Sequence, residues 1–298
     1  MENQYHHYLP QSYLAGWCGA DHKMSRYRRE LNGKISHRRY GAKSVGGQDN
    51  LYALQGVALD QKQILERKIF QKIDNVVQPA LRFFSGNKGL IEGGPKEAWA
   101  LFLVSIMYRS QEAVESINSF FEETWMDEAV AKVQREPDLG ISPEQVIQHY
   151  TTVEPFAAYN HSQVNVIANF LQSPDLERLA DIQWEVVDFT TLDNSLMTSD
   201  CPLMVSRTKT GTIAWLSFAL NPNSMFIAYT GPTAREEILG EGLTDLAERY
   251  NGHLVSRACQ VVFAYDDRFR DEVVKMMSDG GRYQVGHRKL PHPAEEQI

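Results

Sequence analysis

Cysteine is scarce in this chain of 298 residues: Cys18, Cys201 and Cys259 are odd in number, far apart, and include no C-x-x-C pair. That pattern excludes a disulfide framework and offers neither a zinc knuckle nor a redox dithiol, so free, reduced thiols are expected. Long apolar runs are missing too. The longest, about ten residues around Trp99-Ala100-Leu101-Phe102-Leu103-Val104, is half of the roughly twenty a membrane-spanning helix needs, and reads as a buried helix. Met1 to Pro10 holds no apolar h-region and no small-residue cleavage site, so a cytoplasmic chain without a membrane partner is expected. The strong enzyme signatures are absent as well: there is no H-E-x-x-H, P-loop, G-x-G-x-x-G, G-x-S-x-G or EF-hand loop. No internal repeat, heptad run or low-complexity tract is visible.

What is present is an ordinary globular composition, 43% hydrophobic and 23% charged, with one large domain or two intimate ones expected at this length. The net charge of −8 is unevenly spread. Between Met1 and Lys43 eight Lys and Arg stand against three Asp and Glu, a local charge of +5 that leaves −13 on the remainder. Segregation of this kind suits an anionic ligand or nucleic acid approaching one face, although a solvated basic hairpin carries the same charges.

Periodicity predicts an α+β fold: an N-terminal β-hairpin, a central helical bundle and a C-terminal, mostly antiparallel sheet with flanking helices. The expected layout is a basic hairpin region over 1–55, a helical segment over 58–172 and a β-rich segment over 182–280, together forming one domain, with a polar tail over 281–298. Lys23 to Arg29 and Lys34 to Tyr40 flank Asn32-Gly33, a dipeptide that accepts positive φ at both central positions of a tight turn. Alternation puts Arg26 and Arg28 on one face of the hairpin and Tyr27 on the other. Pro95 suits the first turn of a long helix running from Trp99 toward Trp125, with Arg109 near its middle. Short β-like runs from Ile182 to Thr230 read most simply as one antiparallel sheet, Thr233 to Tyr250 returns to helical spacing, and Val255 to Tyr265 fits either a strand or a helix.

The opening segment His7-Tyr8-Leu9-Pro10-Gln11 is polar and aromatic where a terminus is usually nondescript. Pro10 fixes its own φ and biases Leu9 toward extended geometry, so a strand should turn there into a helix beginning near Gln11. Adjacent His6 and His7 in an extended segment point to opposite faces and would not chelate one ion, and no ligand spacing supports a metal or other cofactor.

His7-Tyr8-x-Pro10-Gln11-x-Tyr13-Leu14 resembles the opening motif, H-Y-x-P-Q-x-[FY]-L, of the family catalogued as domain of unknown function 4238. Later features resemble the same family in order: Asn50-Leu51-Tyr52 before a helix with Leu65-Glu66, Tyr108-Arg109 ending an apolar helical run, Thr198-Ser199-Asp200-Cys201-Pro202 on a strand, Leu220-x-Pro222, and Tyr250-Asn251. The chain departs from the pattern at Cys201, where the family usually has Asn or another small polar residue, and at Asn221, where it usually has Ser. The resemblance selects His7, Gln11, Arg109, Asp200 and Asn251 as candidate catalytic residues without assigning a reaction.

These groups suit metal-independent cleavage of an N-glycosidic bond, as in a DNA glycosylase of bacterial defence against phage. Asp200 would activate water or stabilise the sugar cation, His7 would stabilise the departing base, and Gln11 or Asn251 would read its edge. Tyr8, Trp17 or Tyr52 would stack on that base, while Arg26, Arg28, Arg38 and Lys43 hold DNA phosphates on the basic N-terminal face. A second reading is a nuclease or phosphodiesterase in which His7, Glu66 and Asp200 gather around a divalent cation. A third is a non-enzymatic module that binds nucleic acid or a phosphorylated ligand through the same face.

Overall fold

A computed structural model describes residues 4–193, 195–240 and 242–279; the expected tail over 281–298 lies outside the described residues. The fold is α+β, with antiparallel sheets and a helical middle. Strand β1 (Tyr5–His7) gives way to helix α1 (Gln11–Ala15) at Pro10, the last extended residue (φ −55°, ψ 139°), whose carbonyl accepts from the N–H groups of Tyr13 and Leu14. The main chain of Tyr8 and Leu9 donates to the Gly46 carbonyl at 2.9 and 3.0 Å, just before β4 (Gly47–Asp49), which pairs with β1. Gly46 has φ +71°, and a Cβ there would lie 2.4 Å from Leu14 Cδ1, so the corner closes only around glycine.

The hairpin pairs β2 (Met24–Arg29) with β3 (Ile35–Tyr40). Its loop differs from the expected two-residue turn: Gly33 alone takes positive φ, Gly33 N–H donates to Glu30 O, and Glu30 N–H donates to Lys34 O. Leu31, Asn32 and Gly33 therefore form a three-residue loop in which only glycine needs the left-handed region.

The strands read as one C-terminal sheet divide between two. Strands β5 (Gly89–Leu90), β6 (Gln183–Asp188), β10 (Ser224–Tyr229), β9 (Ile213–Asn221) and β8 (Met204–Arg207) lie side by side in that order. The other sheet runs β3-β2-β11-β7, joining the N-terminal hairpin to β11 (Val261–Ala264) and β7 (Met197–Ser199). Three-residue β7 cannot continue toward β8 because Pro202 lacks the donor a ladder needs, and Tyr13 of α1 spans the gap between sheets. Its hydroxyl bonds Thr198 Oγ1 at 2.7 Å on β7 and Ala219 O at 2.9 Å on β9.

Between the sheets' chain segments come a π-helical turn over Glu66–Phe70, α3 (Gln71–Gly86), α4 (Lys96–Arg109), α5 (Gln111–Arg135), α6 (Pro143–Gln148), α7 (Ala157–Leu171) and α8 (Asp175–Asp181), with α2 (Leu59–Lys62) ahead of them. The expected long helix from Pro95 breaks at Ser110, which is extended (ψ 151°) and accepts the Ala113 N–H on its hydroxyl as the cap of α5. Arg109 thus ends α4 rather than lying mid-helix. Thr233 to Tyr250 is likewise split into α9 (Pro232–Leu239) and α10 (Leu243–Arg257), and the ambiguous 255–265 stretch holds the end of α10 followed by β11. Helix α11 (Arg270–Asp279) closes the described chain. Trp99 and Phe102 of α4 meet Phe84, Phe218 and Phe226 with ring centroids 4.8–5.9 Å apart, and buried side chains from all three segments form one continuous cluster. No helix among the described residues is long and apolar enough to cross a membrane.

Candidate functional site

Arg109 is fully buried at the end of α4. Its guanidinium holds Asp74 of α3 through Nη1–Oδ1 at 2.6 Å and Nη2–Oδ2 at 3.3 Å, and Nη2 also donates to the His7 carbonyl at 2.7 Å. It lies 5.0 Å over the Phe70 ring, and Tyr52 donates its hydroxyl to the Arg109 carbonyl. Burial opposes the charge, but Asp74, Tyr52 and Glu66 together keep the guanidinium pKa above its ordinary value. The ion pair is a strut: it fixes β1 to α3 and α4 and sets the position of His7.

Beside this strut is a cavity of about 270 Å³ into which β1, α1, the π-helical turn and α3 converge. Four side-chain amides wall it, Gln11 from α1 and Gln71, Asn75 and Gln78 from α3, together with His7 and Glu66. Glu66 is 5% exposed, and its Oε2 has no hydrogen-bond partner. Burial pushes its carboxyl up to about 7, Arg109 pulling it back and Asp74 adding to the rise. The i→i+5 turn that starts at Glu66, closed by Gln71 N–H to Glu66 O, is a rare backbone form that recurs at functional sites. His7 Nε2 is also buried and unpartnered, and burial lowers the imidazole pKa, so the ring is neutral at pH 7.

A second cleft of about 320 Å³ adjoins the first, with Tyr5 bordering both. Arg26 and Arg28 line it from β2, with Tyr8, Gln48, Gln111 and Gln260. Arg26 stacks 4.0 Å over Tyr40 and donates Nη2 to its hydroxyl, while its Nε and Gln48 Oε1 lack partners. Arg38 is opposite Arg26 in the hairpin register and exposed, as is Lys43. The clefts are opposite in character, one cationic and one centred on a carboxyl. The family profile matches residues 5–268, which take in both. The chain belongs to the DUF4238 family, proteins of unknown function. No curated protein and no solved structure matches it.

The DUF4238 motifs divide between this site and the sheet. The opening motif supplies His7, Tyr8 and Gln11 to the clefts, and Glu66 and Arg109 come from the next two. Asp200 lines neither cleft. Its Oδ1 accepts the Cys259 N–H at 3.0 Å and its Oδ2 those of Gln260 and Val261 at 2.7 and 3.0 Å, so the carboxylate staples the start of β11 to the end of β7. Burial drives its pKa up to about 6 against those three donors. Asn251 is equally committed, accepting from Met197 N–H and donating to Ser195 O, and it brackets β7. Trp17 and Tyr52 are buried in the core, Tyr52 stacked on His6 at 5.7 Å, so neither presents a face to a ligand. Tyr8 borders the cationic cleft but is 6% exposed. His7, Glu66 and Asp200 do not converge as ligands for one cation: among the described residues the group of such donors that does is Glu112, Cys201 and Cys259. Sequence reasoning missed Gln71, Asn75 and Gln78. Their spacing of four and three residues marks one polar helix face opposite Ile73 and Val77, a pattern that reads as a solvated surface, and all three stay exposed where they line the cavity.

Proposed function

We propose that the chain is a nucleic-acid hydrolase that cleaves an N-glycosidic bond in DNA, with Glu66 in the role first expected of Asp200. The observation that carries this reading is Glu66 itself, which borders a cavity lined by amides and whose carboxyl has a pKa of about 7 and a buried oxygen without a partner. A carboxyl tuned close to working pH exchanges protons readily, and shifted groups in clefts mark functional sites. Arg26 and Arg28 hold strand phosphates at the cationic cleft, with exposed Arg38 and Lys43 outside its lining extending the basic face, while an extruded base enters the amide-lined cavity. Gln11, Gln71, Asn75 and Gln78 offer donors and acceptors to its edge.

In the step itself the bond between base and sugar breaks with its electron pair going to the base, whose developing charge is spread over amide hydrogen bonds. Ionised Glu66 faces the positive sugar carbon and takes a proton from the water that adds there. The proton then passes from Glu66 through water to the departing base, which restores the carboxylate. The experiment is incubation with modified and unmodified duplex DNA, separating free bases, abasic sites and strand breaks. Free base lost in Glu66→Gln and kept in Asp200→Glu supports the assignment. Unchanged base release from Glu66→Gln, strand breaks without free base, or binding without product overturns it.

A further inference from the structure

Cys201 follows β7 and Cys259 precedes β11, and the antiparallel pairing of these strands, with Val262 opposite Ser199, brings two cysteines far apart in sequence to one edge of the sheet. Their sulfurs are 3.3 Å apart. Glu112, in the first turn of α5, reaches the same point: its Oε2 lies 2.7 Å from Cys259 Sγ and 3.8 Å from Cys201 Sγ. All three residues are half-buried, so a small ion can reach them.

We propose that Cys201, Cys259 and Glu112 form a binding site for a thiophilic divalent cation of the zinc class, separate from the Glu66 cavity. Two sulfurs and a carboxylate oxygen are three of the four ligands of a tetrahedral zinc site, with water as the fourth. With metal–sulfur bonds of about 2.3 Å and metal–oxygen bonds of about 2.0 Å, the ligand atoms stand about 3.5–3.8 Å apart, so side-chain shifts of under about 1 Å seat the ion. The supporting shell exists already. Asp200 fixes the loop at Cys259 through three main-chain N–H groups, and the Cys201 N–H is held by Ser199 Oγ at 3.1 Å.

The arrangement makes less sense for thiols alone. Glu112 Oε2 lies against both sulfurs, and no Lys, Arg or His among the described residues forms an ion pair with it. A divalent cation displaces both thiol protons and binds the resulting thiolates with the carboxylate. A disulfide would need the sulfurs to close to about 2.05 Å and would give Glu112 no part.

The test uses the full chain kept reduced with a phosphine, titrated with cobalt(II) as a spectroscopic stand-in for zinc. One equivalent should bring up sulfur-to-metal charge-transfer absorption and tetrahedral visible bands, which zinc then removes. Zinc should also protect two of the three thiols from a thiol reagent, leaving Cys18 reactive. Cys201→Ser and Cys259→Ser should each weaken binding at least tenfold, with Cys18→Ser unchanged. Glu112→Gln, which keeps both sulfurs, should retain the charge-transfer band at weaker affinity, so a misfolded serine variant does not decide the matter. Absent charge-transfer absorption in the reduced wild-type chain, or full-strength binding in both cysteine variants, overturns the proposal. Formation of a Cys201–Cys259 disulfide with peroxide in a chain that takes up no cobalt also overturns it, and marks a redox pair.

Discussion

Glu66 and Asp200 are both buried carboxyls whose pKa values burial raises, to about 7 and about 6, and both lie within the residues 5–268 that match the DUF4238 profile. Their surroundings separate them. Both oxygens of Asp200 receive main-chain N–H groups, three in all, so its bonding capacity is spent on joining β7 to β11. Glu66 keeps an oxygen with no partner and borders a cavity. A shifted pKa alone therefore does not distinguish a catalytic carboxyl from a structural one; the distinction lies in which lone pairs remain uncommitted.

Substitution of the two carboxyls should break the pair apart most clearly. Glu66→Gln keeps shape and removes charge, and base release should fall by about 10²–10⁴-fold with the melting temperature intact, measured by product analysis beside thermal unfolding. Arg109→Met should unfold more easily by about 3–5 kcal/mol in urea titration, because it strands Asp74 and the His7 carbonyl together. Asp200→Asn should cost about 1–3 kcal/mol, since an amide nitrogen would face main-chain N–H donors, while an Asp200→Glu chain that folds keeps its activity. Were Asp200→Asn to fold with full stability and lose base release, the comparison would invert.

pH sharpens the same contrast. Because Glu66 must be ionised to take a proton, kcat/KM should rise with pH and level off above about 7, and this limb should vanish with Glu66→Gln. For stability the sign is opposite: a carboxyl whose folded pKa lies above its unfolded 4.5 stabilises the protonated fold, so stability falls as pH climbs from 4.5 through about 7. Glu66→Gln should flatten that decline in denaturant titrations at several pH values. The smallest effect is at the cationic cleft, where Arg28→Ala should weaken duplex binding by about fivefold at low salt and reduce the salt slope by about one unit.

Much of the backbone was legible from residue patterns. Pro10 marked the strand-to-helix corner and Gly33 marked the hairpin loop, whereas 255–265, which fits either a strand or a helix, holds the end of α10 and then β11. Ser110 hid a helix break because it interrupts no apolar run and has neither Pro nor Gly beside it; only its capping hydroxyl betrays it. The division of the C-terminal strands was hidden because short extended runs do not encode their partners, and long-range pairing with β11 and β10 decides where β7 and β9 lie. Within the site, the motif selected His7, Gln11 and Arg109; the first two line the cavity and Arg109 pairs with Asp74 and the His7 carbonyl beside it. The amides of α3 and the meeting of Cys201 with Cys259 are products of tertiary packing, which no local spacing encodes.

Strand β2 lies between β3 and β11, with Arg28 opposite Val261. On a ribosome, the hairpin emerges early but waits for nearly the whole chain before its second edge finds a partner, and this long wait makes for slow closure. Until then the hairpin carries an open edge able to recruit a strand from another molecule. Chains cut short before β11 would lose more than a terminal strand: the basic face would stand on a sheet without its middle.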